Sequence, residues 1–199
     1  MSIEKRLKLA RSTAPDDALD RVIDAAAREG LLDVAYATIG SPLGEWLVAA
    51  TPRGLVRVAF ADTFDDVLEE LSHRVSPRVL ESPSRLDEIR RGFDEYFDGE
   101  RRDFGFPLDW SLVKGFNLKV LRATAKIPYG GVSTYSDMAR RAGSPRAARA
   151  AGNALHNNPI PLVVPCHRVL HRGGGLGGYG GGLEMKEFLL KLEGALDQE

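Results

Sequence analysis

The chain is organised around the segment Asn158-Pro159-Ile160-Pro161-Leu162-Val163-Val164-Pro165-Cys166-His167-Arg168-Val169-Leu170. It contains the only cysteine in the sequence, and a histidine follows that cysteine directly. Pro165 restricts the backbone just before the sulfur. A thiol beside an imidazole is the minimal arrangement for an activated sulfur nucleophile. We therefore take Cys166 as the candidate nucleophile and His167 as its candidate base.

A free thiol has a pKa of about 8.5, so only about 3% of it is thiolate at neutral pH. A carboxylate behind the imidazole would hold its tautomer and stabilise its charged form. Glu193, in the last turn of a predicted helix, is the acid that we nominate for this position. A lone cysteine is more often a small buried apolar residue, so the pair alone leaves both interpretations open.

Composition places the chain among ordinary soluble proteins of one or two domains, with 199 residues and a net charge of −1. A single cysteine excludes an intramolecular disulfide and any site built from several cysteines. The sequence predicts a cytoplasmic protein, because no signal peptide and no apolar run of membrane-spanning length is visible.

Charge is distributed unevenly along the chain. Residues 111–199 hold 12 Lys/Arg against 6 Asp/Glu, whereas residues 1–110 hold 15 against 22. This asymmetry favours a polyanionic partner for the second half. A chance cluster of solvated bases is the alternative.

The first half predicts a polar helical extension followed by a small α/β domain. Leu19, Val22, Ile23 and Ala26 recur at helical spacing within residues 1–33, and Gly30 is placed to end that helix. Residues 34–38, 46–50 and 55–60 predict a three-stranded antiparallel meander. Helices are expected over 64–75 and near 86–97, and extended backbone over 104–110. We find no catalytic constellation here, and His73 is interpreted as a solvated surface residue.

The second half predicts helices over 114–126, from Thr134 to about 142, and over 145–157. Thr134 and Asp137 form a capping-box pattern. Gly143 suits the position after a helix and Ser144 a new N-cap, so the last two helices have helix-turn-helix spacing. Arg146, Arg149 and Asn153 share one predicted helical face.

A glycine-rich segment, residues 171–182, follows the candidate nucleophile and lacks the Lys-Ser/Thr of a phosphate loop. An amphipathic helix closes the chain, with Met185, Phe188, Leu189 and Leu192 on its apolar face and Gly194 at its end.

Residues 116–194 closely resemble the O6-alkylguanine-DNA alkyltransferases. The resemblance rests on several segments in the same order and spacing: the reactive tetrad 165–168, the asparagine-hinge segment 158–161, the recognition helix 147–152, the tyrosine segment 133–135, the glycine-rich loop 177–183 and the Lys186-Glu187 pair. The first 110 residues resemble the family only weakly. The implied fold class is α+β: an α/β amino-terminal domain of ribonuclease-H-like type (34–103), a linker (104–113) and a mostly helical winged helix-turn-helix domain (114–199).

The resemblance implies direct-reversal DNA repair in which Cys166 keeps the alkyl group as a thioether and acts once. His167 and Glu193 would activate the thiol through a water, and Asn158 would tie the recognition helix to the reactive loop. The residues implied to contact the alkylated guanine are Tyr135 at N3, Gly180 at O6, Tyr179 in the loop, and the carbonyls of Cys166 and Val169 at the exocyclic amine.

The resemblance also implies double-stranded DNA as the partner, with the damaged base flipped out and the helix in the minor groove. Arg149 would fill the gap left by the base. The other residues implied to contact DNA are Thr134, Ala147, Ala148, Ala151 and His156. We expect no cofactor and no metal, and a monomer that can pack cooperatively along DNA.

Three alternatives are kept. The first is an alkyl-damage sensor that binds DNA without transferring the group, against which Cys166 argues. The second is a winged-helix DNA-binding regulator with a structural cysteine. The third is a cysteine hydrolase, although such enzymes usually bring the histidine from far along the chain.

Overall fold

The computed structural model describes residues 21, 23, 25, 26, 28–60 and 63–197. Leu19 and Val22 of the predicted first helix lie outside these residues. Ile23 is helical and 5% exposed. Gly30 has a φ of 69°, and the N–H of Leu31 donates to the carbonyl of Ala26 over 2.7 Å. The predicted glycine end of this helix is therefore confirmed.

A small sheet forms the centre of the first half. Strands β1 (Val34–Ile39), β2 (Trp46–Thr51) and β3 (Gly54–Phe60) pair antiparallel, which confirms the predicted meander. A fourth strand, β4 (Val79–Glu81), adds to β1 in parallel and gives the order β3-β2-β1-β4. Sequence patterning missed β4 because a three-residue, half-exposed edge strand has no readable alternation.

Two helices cover this sheet. They are α1 (Phe64–Arg74) and α2 (Asp87–Phe97), the second preceded by a 3-10 turn at Pro83–Leu86. Phe93 on α2 meets Trp46 of β2 edge-to-face, with ring centroids 6.2 Å apart. Tyr96, one turn further on, is 1% exposed and points toward the second half of the chain.

Residues 104–113 pack against the sheet. The N–H of Leu55 donates to the carbonyl of Pro107, and the N–H of Asp109 donates to the carbonyl of Leu55, both over 2.8 Å. The Asp109 carboxylate accepts from the Thr51 hydroxyl at 2.6 Å and from Arg53 Nε at 3.0 Å. Residues 104–110 are extended, as predicted, and pair with the edge strand β3 at Leu55, whereas residues 111–112 form a turn.

The second half contains α3 (Gly115–Thr124), α4 (Tyr135–Arg141) and α5 (Ala148–His156). The Thr134 side chain accepts from the N–H of Asp137 at 3.1 Å, which confirms the predicted cap. Gly143, at a φ of 84°, ends α4 as predicted. Helix α5 begins later than predicted, because the Ser144 carbonyl accepts from the N–H of Ala147 and closes a separate turn. Arg146 therefore precedes α5 and does not share its face.

The closing helix α6 (Leu183–Leu192) ends at Gly194, whose φ is 70°, as predicted. Of its predicted apolar face, Leu189 is buried and Met185 and Leu192 pack against the core, as predicted. Phe188 is 37% exposed instead, whereas Lys186 and Leu190 are buried. The two-residue strands β5 (Ser133–Thr134) and β6 (Val169–Leu170) pair in parallel and join α4 to the reactive stretch.

One apolar core runs through both halves, from the sheet residues to α6. The two halves also join directly, since the N–H of Val58 in β3 donates to the carbonyl of Pro159 at 2.8 Å. The predicted α+β class is confirmed. None of the described helices combines the length and apolar character that a bilayer crossing requires.

Substitution of Gly54 tests whether the packing of residues 104–113 against the sheet contributes to stability. The φ of Gly54 is 129°, and an added Cβ would lie 2.1 Å from the Pro107 oxygen. We expect Gly54→Ala to lower the free energy of unfolding by about 3 kcal/mol, measured by urea denaturation. The control Gly44→Ala, at a φ of 97° with open space around it, should cost about 1 kcal/mol from backbone strain alone. Equal losses would contradict the docking of this segment.

Candidate active site

The backbone before Cys166 turns sharply twice. The N–H of Val163 donates to the carbonyl of Pro161 at 3.0 Å across Leu162, whose φ is 72°. The N–H of Cys166 then donates to the carbonyl of Val164 at 2.8 Å across Pro165, at φ −79° and ψ 66°. Both are three-residue turns, of which the one with positive φ is the strained form. These turns set the sulfur at the start of a 3-10 turn, Cys166–Arg168.

Asn158 ties this loop together from inside. Its side-chain N–H groups donate to the carbonyl of Val164 at 2.8 Å and to Cys166 Sγ at 3.3 Å. Its side-chain oxygen accepts from the N–H of Ile160 at 3.1 Å. One buried amide therefore connects the end of α5 to both sides of the loop and to the sulfur.

The Cys166 thiol is 9% exposed. Burial raises the pKa of this thiol, although the hydrogen bond from Asn158 and the positive charge of Lys186 act in the opposite direction. The sulfur is thus protonated in the resting protein. Any nucleophilic use of Cys166 requires removal of its proton when a substrate is present.

Glu193 lies at the centre of a buried cluster. Its carboxylate accepts from His167 Nε2 at 2.9 Å, from Arg168 Nε at 2.7 Å and Nη2 at 2.8 Å, and from the Tyr96 hydroxyl at 2.6 Å. Burial alone would raise the pKa of Glu193, but the hydrogen bonds from His167 and Arg168 outweigh it and lower the pKa to about 2. The predicted acid therefore has specific partners and is ionised.

The hydrogen bonds of this cluster determine the tautomer and the charge of the His167 imidazole. An ionised carboxylate only accepts hydrogen bonds, so Nε2 carries the proton of the imidazole. Burial lowers the pKa of His167, against the favourable effect of Glu193, so the ring is neutral. Nδ1 is then a free acceptor, and within the described residues it has no hydrogen-bond partner. The sequence-adjacent thiol and imidazole are thus not hydrogen-bonded to each other directly.

A cavity of about 610 Å³ opens beside the sulfur. Its wall includes eight of the predicted catalytic, substrate-binding and DNA-binding residues: Thr134, Tyr135, Ala148, Arg149, His156, Cys166, Tyr179 and Gly180. Helix α5 and the glycine-rich segment both contribute residues to this wall. Burial and the nearby Cys166 raise the pKa of the half-buried Tyr135, so its hydroxyl remains a proton donor.

The remaining predicted contacts lie away from this wall. Ala151 is 0% exposed in the core, because that face of α5 packs on α3 and α4, and Gly152 lines the cavity in its place. Ala147 lies at the N-cap of α5, just outside the wall. Val169 is buried, and its carbonyl already accepts from Lys186 Nζ at 2.7 Å.

Four further residues belong to the site or its support. Lys186 is buried, and burial lowers its pKa to about 8 against the opposing effect of the nearby Cys166. His171 and Arg172 border the cavity, with the His171 ring 5.1 Å from that of Tyr135. Tyr96 comes from the half in which we expected no catalytic group. Of these four residues, only Lys186 could have been found from the sequence, because it is a lysine among apolar residues of α6. Tyr96 has the sequence pattern of an ordinary aromatic core residue.

Comparison with known families matches both halves of the chain. Residues 34–110 match the model described as 6-O-methylguanine DNA methyltransferase, ribonuclease-like domain. Residues 115–195 match the model described as 6-O-methylguanine DNA methyltransferase, DNA binding domain. The two matches together cover the meander, the helix-turn-helix and the Cys166 site.

The chain is 39% identical over 160 residues to the methylated-DNA–protein-cysteine methyltransferase of Methanosarcina acetivorans, covering 80% of this chain and 98% of that protein. It is 36% identical to the constitutive enzyme of that name from Bacillus subtilis, with 79% and 94% covered. The structure of Mycobacterium tuberculosis OGT in complex with DNA superposes with a TM-score of 0.68 at 34% identity, covering 81% and 93%. The chain belongs to the 6-O-methylguanine DNA methyltransferase family.

Proposed function

We propose that this protein repairs O6-alkylguanine in double-stranded DNA by moving the alkyl group onto Cys166, once per molecule. One observation carries the proposal. Cys166 borders a 610 Å³ cavity that is shared with the recognition helix, and a neutral, buried His167 backed by ionised Glu193 stands directly behind it. The family and its DNA-bound member support DNA as the partner.

The transfer follows from this geometry. Sγ attacks the alkyl carbon, the bond between that carbon and O6 breaks, and its electron pair remains with guanine. The thiol proton passes through an intervening water to Nδ1 of His167, whose Nε2–H stays bonded to Glu193. The product is a thioether, which has no easy leaving group, so the protein is consumed.

The departing guanine needs its developing charge stabilised. Tyr135 would donate to N3, and the amide of Gly180 would lie near O6. Tyr179 packs beside the His167 ring at a centroid distance of 6.3 Å and would hold the base against the sulfur. The carbonyls of Cys166 and Val169 would accept hydrogen bonds from the exocyclic amine. The Val169 carbonyl already accepts from Lys186 Nζ, so it would use its second lone pair for the amine.

The base must leave the duplex to reach a buried sulfur, which costs a few kcal/mol. The exposed Arg149, on α5 at the cavity mouth, would occupy the vacated place in the stack. Ala147, Ala148, Thr134 and His156 would contact the backbone around it. Small residues on the helix suit the minor groove and a binding mode without sequence readout.

We further propose that the protein acts as a monomer without cofactor or metal, and that residues 34–103 and 114–199 are two domains that are joined by 104–113 and share one core. The alternative function is a damage sensor that binds alkylated DNA without transfer. The buried thiol beside a neutral imidazole favours transfer, because a sensor has no need of either group.

Intact-mass spectrometry after mixing the protein with a duplex bearing one O6-methylguanine tests the transfer. We expect the mass to rise by one methylene equivalent, to saturate at one per molecule, and to stay unchanged in Cys166→Ala. Binding without any mass change in the unaltered protein would leave the sensor alternative.

The resting state of the sulfur is tested by its reactivity toward iodoacetamide. Because burial raises the pKa of Cys166, we expect the alkylation rate to climb with pH through a midpoint above about 8.5. Cys166 is the only cysteine, so the mass gain reports this site alone. A rate plateau that is already reached near pH 7 would indicate a preformed thiolate and contradict this assignment.

The role of Arg149 is tested by comparing two substrates. Arg149→Ala should slow transfer from duplex O6-methylguanine about tenfold or more, because flipping loses its stabilisation, while transfer from the free base O6-benzylguanine stays unchanged. Arg146→Ala is the matched control, since Arg146 is exposed but precedes α5 and lies outside the cavity wall. Equal losses on both substrates for Arg149→Ala would place Arg149 in the chemistry or the folding instead.

A further inference from the structure

Among the described residues of the first half, the Tyr96 hydroxyl alone donates a hydrogen bond to the Glu193 carboxylate. It donates to Glu193 Oε1 at 2.6 Å, and Tyr96 is 1% exposed. Helix α2, which carries it, contacts strand β2 through Phe93 and the end of α6 through Tyr96. The transfer described above makes no use of this hydroxyl.

Oε1 of Glu193 accepts three hydrogen bonds, from the Tyr96 hydroxyl, His167 Nε2 and Arg168 Nη2. Oε2 accepts from Arg168 Nε at 2.7 Å and, at 3.4 Å, from the N–H of Gly130. Tyr96 and His167 therefore share one oxygen. Each added donor draws negative charge from that oxygen, so the hydroxyl weakens the support that Glu193 can give to an imidazolium.

We propose that Tyr96 is a positioning residue for alkyl transfer, which holds Glu193 Oε1 on His167 Nε2 and keeps the imidazole neutral, with Nδ1 free to receive the thiol proton. This inference rests on the proposed function. Under this proposal the amino-terminal half affects alkyl transfer, because Tyr96 acts on His167 through the buried Glu193 carboxylate.

The groups that surround His167 and Glu193 include one neutral hydroxyl donor to the carboxylate, that of Tyr96. His167 lies in the same 3-10 turn as Cys166 and Arg168. It also faces Lys186 within α6, Glu193 at the end of α6, and Tyr179 of the glycine-rich segment. Glu193 also faces Tyr129, over whose ring Arg102 lies at 5.8 Å. Arg168 is permanently charged. Burial, followed by the charge of Glu193, raises the pKa of Tyr96, so its hydroxyl stays protonated wherever the reaction is measured.

The test is the pH dependence of the single-turnover transfer rate in Tyr96→Phe. Loss of the hydroxyl returns charge to Oε1, which raises the pKa of His167. We expect the acidic limb of the profile to move up by about 0.5–1 pH unit. The rate below the limb then falls about 3–10-fold, while the rate above pH 8 stays within about twofold of the unaltered protein.

Tyr129→Phe is the matched control. It removes one hydroxyl from a neighbouring ring, 6.0 Å from that of Tyr96, but this hydroxyl donates to the carbonyl of Leu192 at 2.9 Å and not to the carboxylate. Its acidic limb should coincide with that of the unaltered protein. A limb that moves equally in both variants would overturn the proposal.

Nitrogen-15 spectra of the His167 ring provide a second readout that does not depend on transfer. Tyr96→Phe should shift the ring titration to higher pH. If that variant fails to fold, 3-fluorotyrosine in place of Tyr96 donates more strongly and should move both the titration and the limb to lower pH.

A uniform rate loss at every pH, an unmoved titration, or a shift of opposite sign would overturn the role of Tyr96. If the unaltered protein transfers no methyl group, the proposed function fails instead, and the ring titration still reports on the Tyr96–Glu193 contact.

Discussion

A single buried carboxylate, that of Glu193, holds the reactive part of this protein together. An ionised acid inside a protein must be paired and hydrogen-bonded, and removal of one partner from such a group typically costs about 3–5 kcal/mol. Glu193 meets this requirement through Arg168, His167 and Tyr96, which come from two separate elements. Because Cys166 directly precedes His167 and Arg168, the carboxylate that holds those two side chains also sets the position of the sulfur.

The loop before the sulfur completes this placement at a cost in backbone strain. A non-glycine residue at a φ of 72°, such as Leu162, stores about 1–3 kcal/mol, and it persists because Leu162 is 1% exposed and enclosed by the core. Asn158 fixes the same loop through the Val164 carbonyl and the sulfur. The result is a neutral, buried thiol. For a protein that acts once, low reactivity at rest protects the sulfur until a base enters the cavity.

The two halves of the chain differ in net charge, but both contribute groups to the structure around Cys166. The acidic half contributes the Tyr96 hydroxyl to the carboxylate cluster and the Val58 N–H to the reactive stretch. The basic half contains the cavity wall and the exposed Arg149. This division keeps negative charge away from the surface that we propose faces DNA, while the first half supports the Cys166 site from within the core.

The sequence alone determined the features that close within a few residues: the Cys166–His167 pair, the Thr134 cap, the glycine ends of the helices and the meander. Such features depend on local hydrogen bonds and on periodicity, which are readable without the fold. Glu193 was also nominated from the sequence as the acid behind His167, and the structure confirmed the contact. Tertiary structure alone decided strand β4, the burial of Ala151, the link from Lys186 to the Val169 carbonyl and the reach of Tyr96 to Glu193 across 97 residues. Contacts between residues so far apart depend on how whole elements pack, and no local pattern in the sequence encodes that packing.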